Sequence, residues 1–240
     1  MDSRLNTYKE QFVIKLWDIY PGWASSVGYH KYDHILVVPD DDSRNKELEF
    51  CSTNLDSLKK FNLKELSDVN KTDYYLIENQ LKSGIWSINK QKAYEWDPSG
   101  YNVSGSFADM LGNDYEALDK RLNNFYLKMA AIPAYYKAAM ANIKNPTKEH
   151  TALAIEQNMG GISVFEQDLP EALKKSGLDS AAKQRLDILA KRAIAAIKEN
   201  EKIAVTKNLF MCVQKGTILR LPIYFYLPSS NKPCTIQHIV

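Results

Sequence analysis

The chain has 240 residues, enough for one large or two small domains with a substantial buried core. Apolar residues make up 45% and charged residues 25%, a balance that excludes wholesale disorder. The 31 Lys and Arg against 29 Asp and Glu leave only +2, which gives no electrostatic reason to expect nucleic acid or an anionic membrane as a partner.

Glycine is scarce, at 10, and turn clusters lie far apart, so long helices are favoured over an all-β fold. Cys51, Cys212 and Cys234 form neither a disulfide framework nor a Cys-x-x-Cys knuckle. No apolar run approaches the roughly 18 residues that a membrane helix needs. The opening Met1-Asp2-Ser3-Arg4 is polar and lacks a signal-peptide pattern, so the chain as given reads as cytoplasmic unless an export signal has been removed.

In chain order, Phe12, Val13, Leu16, Trp17 and Tyr20 predict a first helix over 3–20, ended by Pro21-Gly22. The stretch 28–42 reads as an ordered loop. Ser43 caps the next helix, whose stripe is Leu48, Cys51, Leu55 and Leu58. Residues 63–66 form a helical turn, and Asn70 to Asp73 open a third helix carrying Ile77, Leu81, Ile85 and Ile88. Trp96 to Gly105 is turn-rich. Leu118, Leu122, Phe125 and Met129 then mark a helix that Pro133 kinks or restarts. Thr147 caps a helix with Leu153, Ile155, Met159, Ile162 and Phe165, and its Gly160-Gly161 predicts a close neighbour. Gly177 ends it, and Asp179 or Ser180 caps a last helix through Leu186, Leu189, Ile194 and Ile197. The expected fold is all-α, a multi-helix domain of packed antiparallel hairpins over residues 1–201.

Residues 202–240 contain no Asp or Glu but carry Lys202, Lys207, Lys215, Arg220 and Lys232. Pro222, Pro228 and Pro233 break any helical period there. Two readings stand: a basic, partly extended arm, or a shifted reading frame that makes the tail non-native. The second is slightly favoured.

His30 and His34 are the best metal candidates, because an i, i+4 pair on a helix presents two imidazoles to one ion, and Asp33 adds a carboxylate. A zincin, however, places Glu directly after its first His, where this chain has Lys31, and Gly28 argues against a helix. A hydrogen-bonded structural loop is the expectation, with no metal. His150 and His238 stand alone. No nucleophile elbow or phosphate loop is present. Asp40 to Asp42 read as the acidic start of a helix. The 14 tyrosines, Tyr74-Tyr75 and Tyr135-Tyr136 among them, are assigned to core, with an aromatic groove for a peptide or sugar as the alternative.

The run Pro21-Gly22-Trp23-Ala24-Ser25-Ser26-Val27-Gly28-Tyr29-His30-Lys31-Tyr32-Asp33 resembles the N-terminal signature of the bacterial domain-of-unknown-function family 885. The resemblance continues through Thr72-Asp73-Tyr74-Tyr75, Ile132-Pro133, Asn145-Pro146-Thr147, and Phe165 ahead of Leu169-Pro170, covering roughly residues 8–200. It implies a larger, mostly helical protein, exported to the periplasm or lipid-anchored, and similar to gluzincin-type zinc peptidases. The resemblance places zinc on a His-Glu-x-x-Pro-Gly-His-like segment of a C-terminal half, and none of the four histidines here is followed by Glu. No catalytic, cofactor-binding or metal residue therefore carries over.

The leading expectation is a helical fragment that forms scaffold or substrate-channel wall and is inactive alone. Its partners would be the missing C-terminal half or a peptide substrate, and an exposed apolar face would favour self-association. The alternatives are a self-contained helical binding module with an aromatic groove, and a small metalloenzyme built on His30, Asp33 and His34.

Overall fold

The computed structural model describes residues 1–214, and no strand occurs among them. The fold is all-α, as the spacing predicts. The first layer is α1 (Asp2–Ile19), α3 (Asp41–Leu58) and α4 (Asp68–Trp86), with the short α2 (Pro21–Ser26) and a 3-10 turn at His30–Tyr32 between α1 and α3. The chain then passes through a π turn at Ser87–Gln91, α5 (Ala93–Trp96) and a 3-10 turn at Pro98–Tyr101. The second layer comprises α6 (Ser104–Gly112), α7 (Leu118–Met129), α8 (Ile132–Asn142), α9 (Lys148–Ser163), a π turn at Val164–Asp168, α10 (Leu169–Lys175) and α11 (Ser180–Gln214). The last helix runs without a break across residue 201, while residues 215–240, the greater part of the acid-free tail, lie outside the described residues.

Each layer has its own core because each helix buries one stripe. In the first, Leu5, Leu58, Leu66 and Tyr74 form one cluster, and Phe12, Leu16, Cys51 and Leu81 another. In the second, Phe107, Phe125 and Phe165 meet edge-on or tilted, with centroids 4.7 to 6.0 Å apart, at the centre of a larger cluster.

Several local expectations are corrected. Pro21 ends α1 but also opens α2, since a proline suits the first helical turn, where its missing N–H costs nothing. The cap of α3 is Asp40, whose carboxylate accepts from the Ser43 amide at 2.9 Å, so helix begins inside the stretch expected to be loop. Ser67, not Asn70, caps α4. Within α1, Leu5 is buried and Val13 is 40% exposed. The face of α9 is also rotated from expectation: Ala154, Asn158, Gly161 and Ile162 are buried, whereas Leu153 and Met159 point outward. Small residues face inward there because a Cβ on Gly161 would stand 2.3 Å from Ser104 Oγ, so α6 packs directly on the backbone.

The two layers are joined at Pro39. Its carbonyl accepts from Arg44 Nη1 at 2.9 Å and from Asn142 Nδ2 at 2.5 Å, and Arg44 Nη2 also donates to Asn142 Oδ1 at 3.1 Å. This clamp fixes the extended 35–39 segment between the layers, where it lines a recess.

Candidate functional site

The site begins with the turn after α2. Gly28 adopts φ +87°, a left-handed conformation that residues with a Cβ disfavour, and reverses the chain. The 3-10 turn that follows carries His30 and Asp33 inward. Asp33 is 1% exposed, and its carboxylate accepts from Ser25 Oγ at 2.5 Å, Tyr115 Oη at 2.5 Å and His30 Nδ1 at 3.1 Å. The Tyr115 ring lies flat on the His30 imidazole, with centroids 3.5 Å apart and planes at 7°. Burial and the Asp33 charge raise the Tyr115 phenol well above its ordinary range, so it remains a proton donor.

Lys128 of α7 comes to the same place from the other layer. It is 3% exposed and lies on the core side of its helix with Leu122, Phe125 and Met129. Among the described residues its ammonium has no hydrogen bond or salt bridge, and its one ring contact is Phe107, 5.3 Å away. Burial lowers its pKa, and the charges of Asp33 and Asp109 oppose that shift.

Two recesses meet here. The smaller, about 290 Å³, is lined by Ser25, His30, Asp109, Met110, Tyr115 and Lys128 among others. The larger, about 800 Å³, is lined by Trp23, Ile35, Val37, Tyr94, Tyr135 and Lys128 among others. Gly22, Ser106 and Lys128 line both, so they form the neck between them. At the edge of the larger recess Tyr20 Oη donates to Glu47 Oε1 at 2.6 Å. Gly84 makes room for this pair and for Cys51, whose Sγ would be 3.0 Å from a Cβ there. Burial, then the Glu47 charge, pushes the Cys51 thiol up to about 11, which makes it an inert core cysteine.

Of the sequence candidates, His30 and Asp33 come together, while His34 is exposed and shares no hydrogen bond with them. Asp33 spends both carboxylate oxygens on protein donors, and no group of three or more His, Cys, Asp or Glu able to hold a metal exists among the described residues. The cluster does not fit a zinc ion. His150 takes part in the Thr147 cap of α9 and meets the Trp96 ring edge-on, and His238 lies outside the described residues. Asp40 is a helix cap. Tyr135 and Tyr94, assigned to core from the sequence, line the larger recess, whereas Tyr136 is core. Ser25, Tyr115 and Lys128 were not anticipated as site residues. For Lys128 a signal existed, because it falls three residues after Phe125 on the apolar face of α7.

A family model described as "Bacterial protein of unknown function (DUF885)" matches residues 21–208. The fold is also similar to that of a solved structure from Shewanella oneidensis, described as a "putative lipoprotein of unknown function", with a TM-score of 0.84 and 38% sequence identity. That similarity covers 88% of this chain and 39% of the Shewanella chain, so the present chain spans well under half the length of that protein. No curated protein matches the sequence. Among the described residues no helix is long and apolar enough to cross a membrane. With the match extending over most of its length, the chain belongs to the bacterial protein family of unknown function DUF885.

Proposed function

We propose that this chain forms the helical, substrate-facing wall of a larger peptidase-like protein, and that it binds peptide in the joined recesses without cleaving it. The observation that carries this reading is the pair of recesses themselves. A larger recess with Trp23, Tyr94 and Tyr135 on its wall adjoins a smaller one, and both mix apolar with charged lining, which suits a chain bearing both side chains and backbone polar groups. Zinc, in this reading, belongs to a part of the protein outside this chain, since His30 and Asp33 are committed to each other and to Tyr115. The setting is the cell envelope, a placement supported by the description of the Shewanella protein as a lipoprotein.

The test uses the four tryptophans as reporters, with ¹⁵N-labelled indoles followed by NMR during titration with short peptides. Trp23 lines the larger recess and Trp17 contacts it edge-on at 5.4 Å, so both should shift. Trp86 and Trp96 line neither recess and should stay in place. Chromatography of the same samples should show intact peptide. Cleavage by the chain alone, or peptide-induced shifts that avoid Trp23, would overturn the reading.

A further inference from the structure

Lys128 is 3% exposed, and among the described residues its ammonium makes no hydrogen bond or salt bridge. A protein normally pairs or removes a largely buried ammonium. The neighbouring carboxylates of Asp33 and Asp109 act on it at a distance, and neither forms a hydrogen bond or salt bridge with it. Asp33 is occupied by Ser25, Tyr115 and His30. Asp109 sits at the exposed rim of the smaller recess and forms no salt bridge with Lys128. The Phe107 ring, 5.3 Å away, offers a cation–π contact, which is weak compensation.

The position of the group matters as much as its isolation. Lys128 lines both recesses, so it is reachable by a ligand in either one. Gly22, which lines both recesses with it, is exposed and has nothing within 4 Å of where a Cβ would stand. The larger recess supplies apolar contact from Trp23, Ile35, Val37 and Tyr135, beside charged lining from Asp18, Asp40, Asp42, Glu47, Arg44 and Lys46. A cation at the neck within reach of these apolar side chains matches an anion carried on an apolar body.

We propose that Lys128 Nζ binds the carboxylate of such a ligand at the neck, with the ligand's apolar body in the larger recess. This rests on the channel-wall reading for its source: the C-terminal carboxylate of a peptide ending in a large apolar residue. A small free aromatic acid has the same chemistry, and the experiment separates the two.

Binding to the intact chain is measured by calorimetry for three probes: Ala-Ala-Ala-Phe with a free carboxylate, the same peptide amidated, and 3-phenylpropanoate. The free-acid peptide should bind about tenfold or more tighter than the amide, the difference expected of one charge-assisted hydrogen bond. Lys128→Met should abolish that preference, and tryptophan indole shifts matching those of the parent report an intact recess. Lys128→Arg should keep the preference. A peptide that binds tighter than 3-phenylpropanoate supports a peptide terminus as the source, and the reverse order supports a small free acid at the same cation. Equal affinity for acid and amide, or an acid preference that survives Lys128→Met, overturns the assignment of Lys128 but leaves the peptide-binding wall standing. Failure of every probe to bind at millimolar concentration overturns both.

Discussion

The Tyr115 hydroxyl donates to Asp33 Oδ2 across 82 residues of sequence, while the same tyrosine's ring covers His30, the residue that also donates to Asp33. One side chain therefore ties the turn after α2 to the segment before α7 by two different interactions. Removing the carboxylate leaves the Tyr115 hydroxyl and the His30 imidazole without that acceptor in a half-buried place, while Ser25 Oγ keeps the Pro21 carbonyl. Asp33→Ala should lower stability by about 3 kcal/mol, and Tyr115→Phe by about 1–2 kcal/mol, because the latter removes one donor and keeps the ring. Urea midpoints of the two variants check this, and an unchanged midpoint for Asp33→Ala would contradict it.

Gly160 and Gly161 make a matched pair. A Cβ on Gly161 would stand 2.3 Å from Ser104 Oγ and 2.6 Å from Ser104 Cβ, whereas one on Gly160 meets nothing within 4 Å. Gly161→Ala should therefore push α6 away and cost about 1–3 kcal/mol through overpacking. Gly160→Ala should be neutral or stabilise by up to about 1 kcal/mol, since alanine favours the helix. Thermal melts should place Gly161→Ala below the parent and Gly160→Ala at or above it, and a Gly161→Ala protein as stable as the parent would contradict the close approach.

The neighbour expected at Gly160-Gly161 was legible in the sequence, because two glycines inside a helical period signal close contact. The identity of that neighbour was not, since Ser104 lies far away in the chain. Helix positions were largely readable from the spacing of residues such as Leu122, Phe125 and Met129, which are all buried. The burial of α9 was misread because its inward face uses Ala154, Asn158 and Gly161, and period analysis looks for large apolar residues. The site was half visible. His30 and Asp33 stood out as adjacent polar residues in a turn, but Tyr115 and Lys128 reach them only through tertiary packing.

Lys128 also predicts a pH dependence. Burial lowers its pKa in the folded chain below the ordinary 10.5, and the charges of Asp33 and Asp109, the titratable neighbours that act on it, oppose the shift. Below the lowered value the lysine is charged in both folded and unfolded states, and the folded state bears the full cost of burying that charge. As pH rises from the lowered value toward 10.5, the unfolded chain holds the proton more firmly than the folded one, and stability gains. Lys128→Met should thus be more stable than the parent near neutrality, by about 1–3 kcal/mol, and the advantage should shrink as pH approaches that of a free lysine. Denaturation at a series of pH values measures both, and a variant less stable than the parent at neutral pH would contradict a net cost of burying this charge.

Zinc is expected to stay unbound. His30 Nδ1 faces Asp33 at 3.1 Å, and the Asp33 oxygens accept from Ser25 and Tyr115, so a metal would have to break existing bonds to gain too few ligands. Elemental analysis after dialysis against excess zinc should find well under one ion per chain. One ion per chain, lost on His30→Ala or His34→Ala, would contradict this and restore the metalloenzyme reading.

The most direct test of the peptide-facing wall is photo-crosslinking with a short peptide that carries benzophenone on its C-terminal aromatic residue. Benzophenone in the larger recess would sit among Trp23, Ile35, Val37 and Tyr135. Mass spectrometry of the digested adduct should then place the label on fragments carrying those residues, and excess unlabelled peptide should remove it. Labelling confined to the exposed side chains of α4, such as Val69 and Leu76, or labelling indifferent to competitor, would contradict the account.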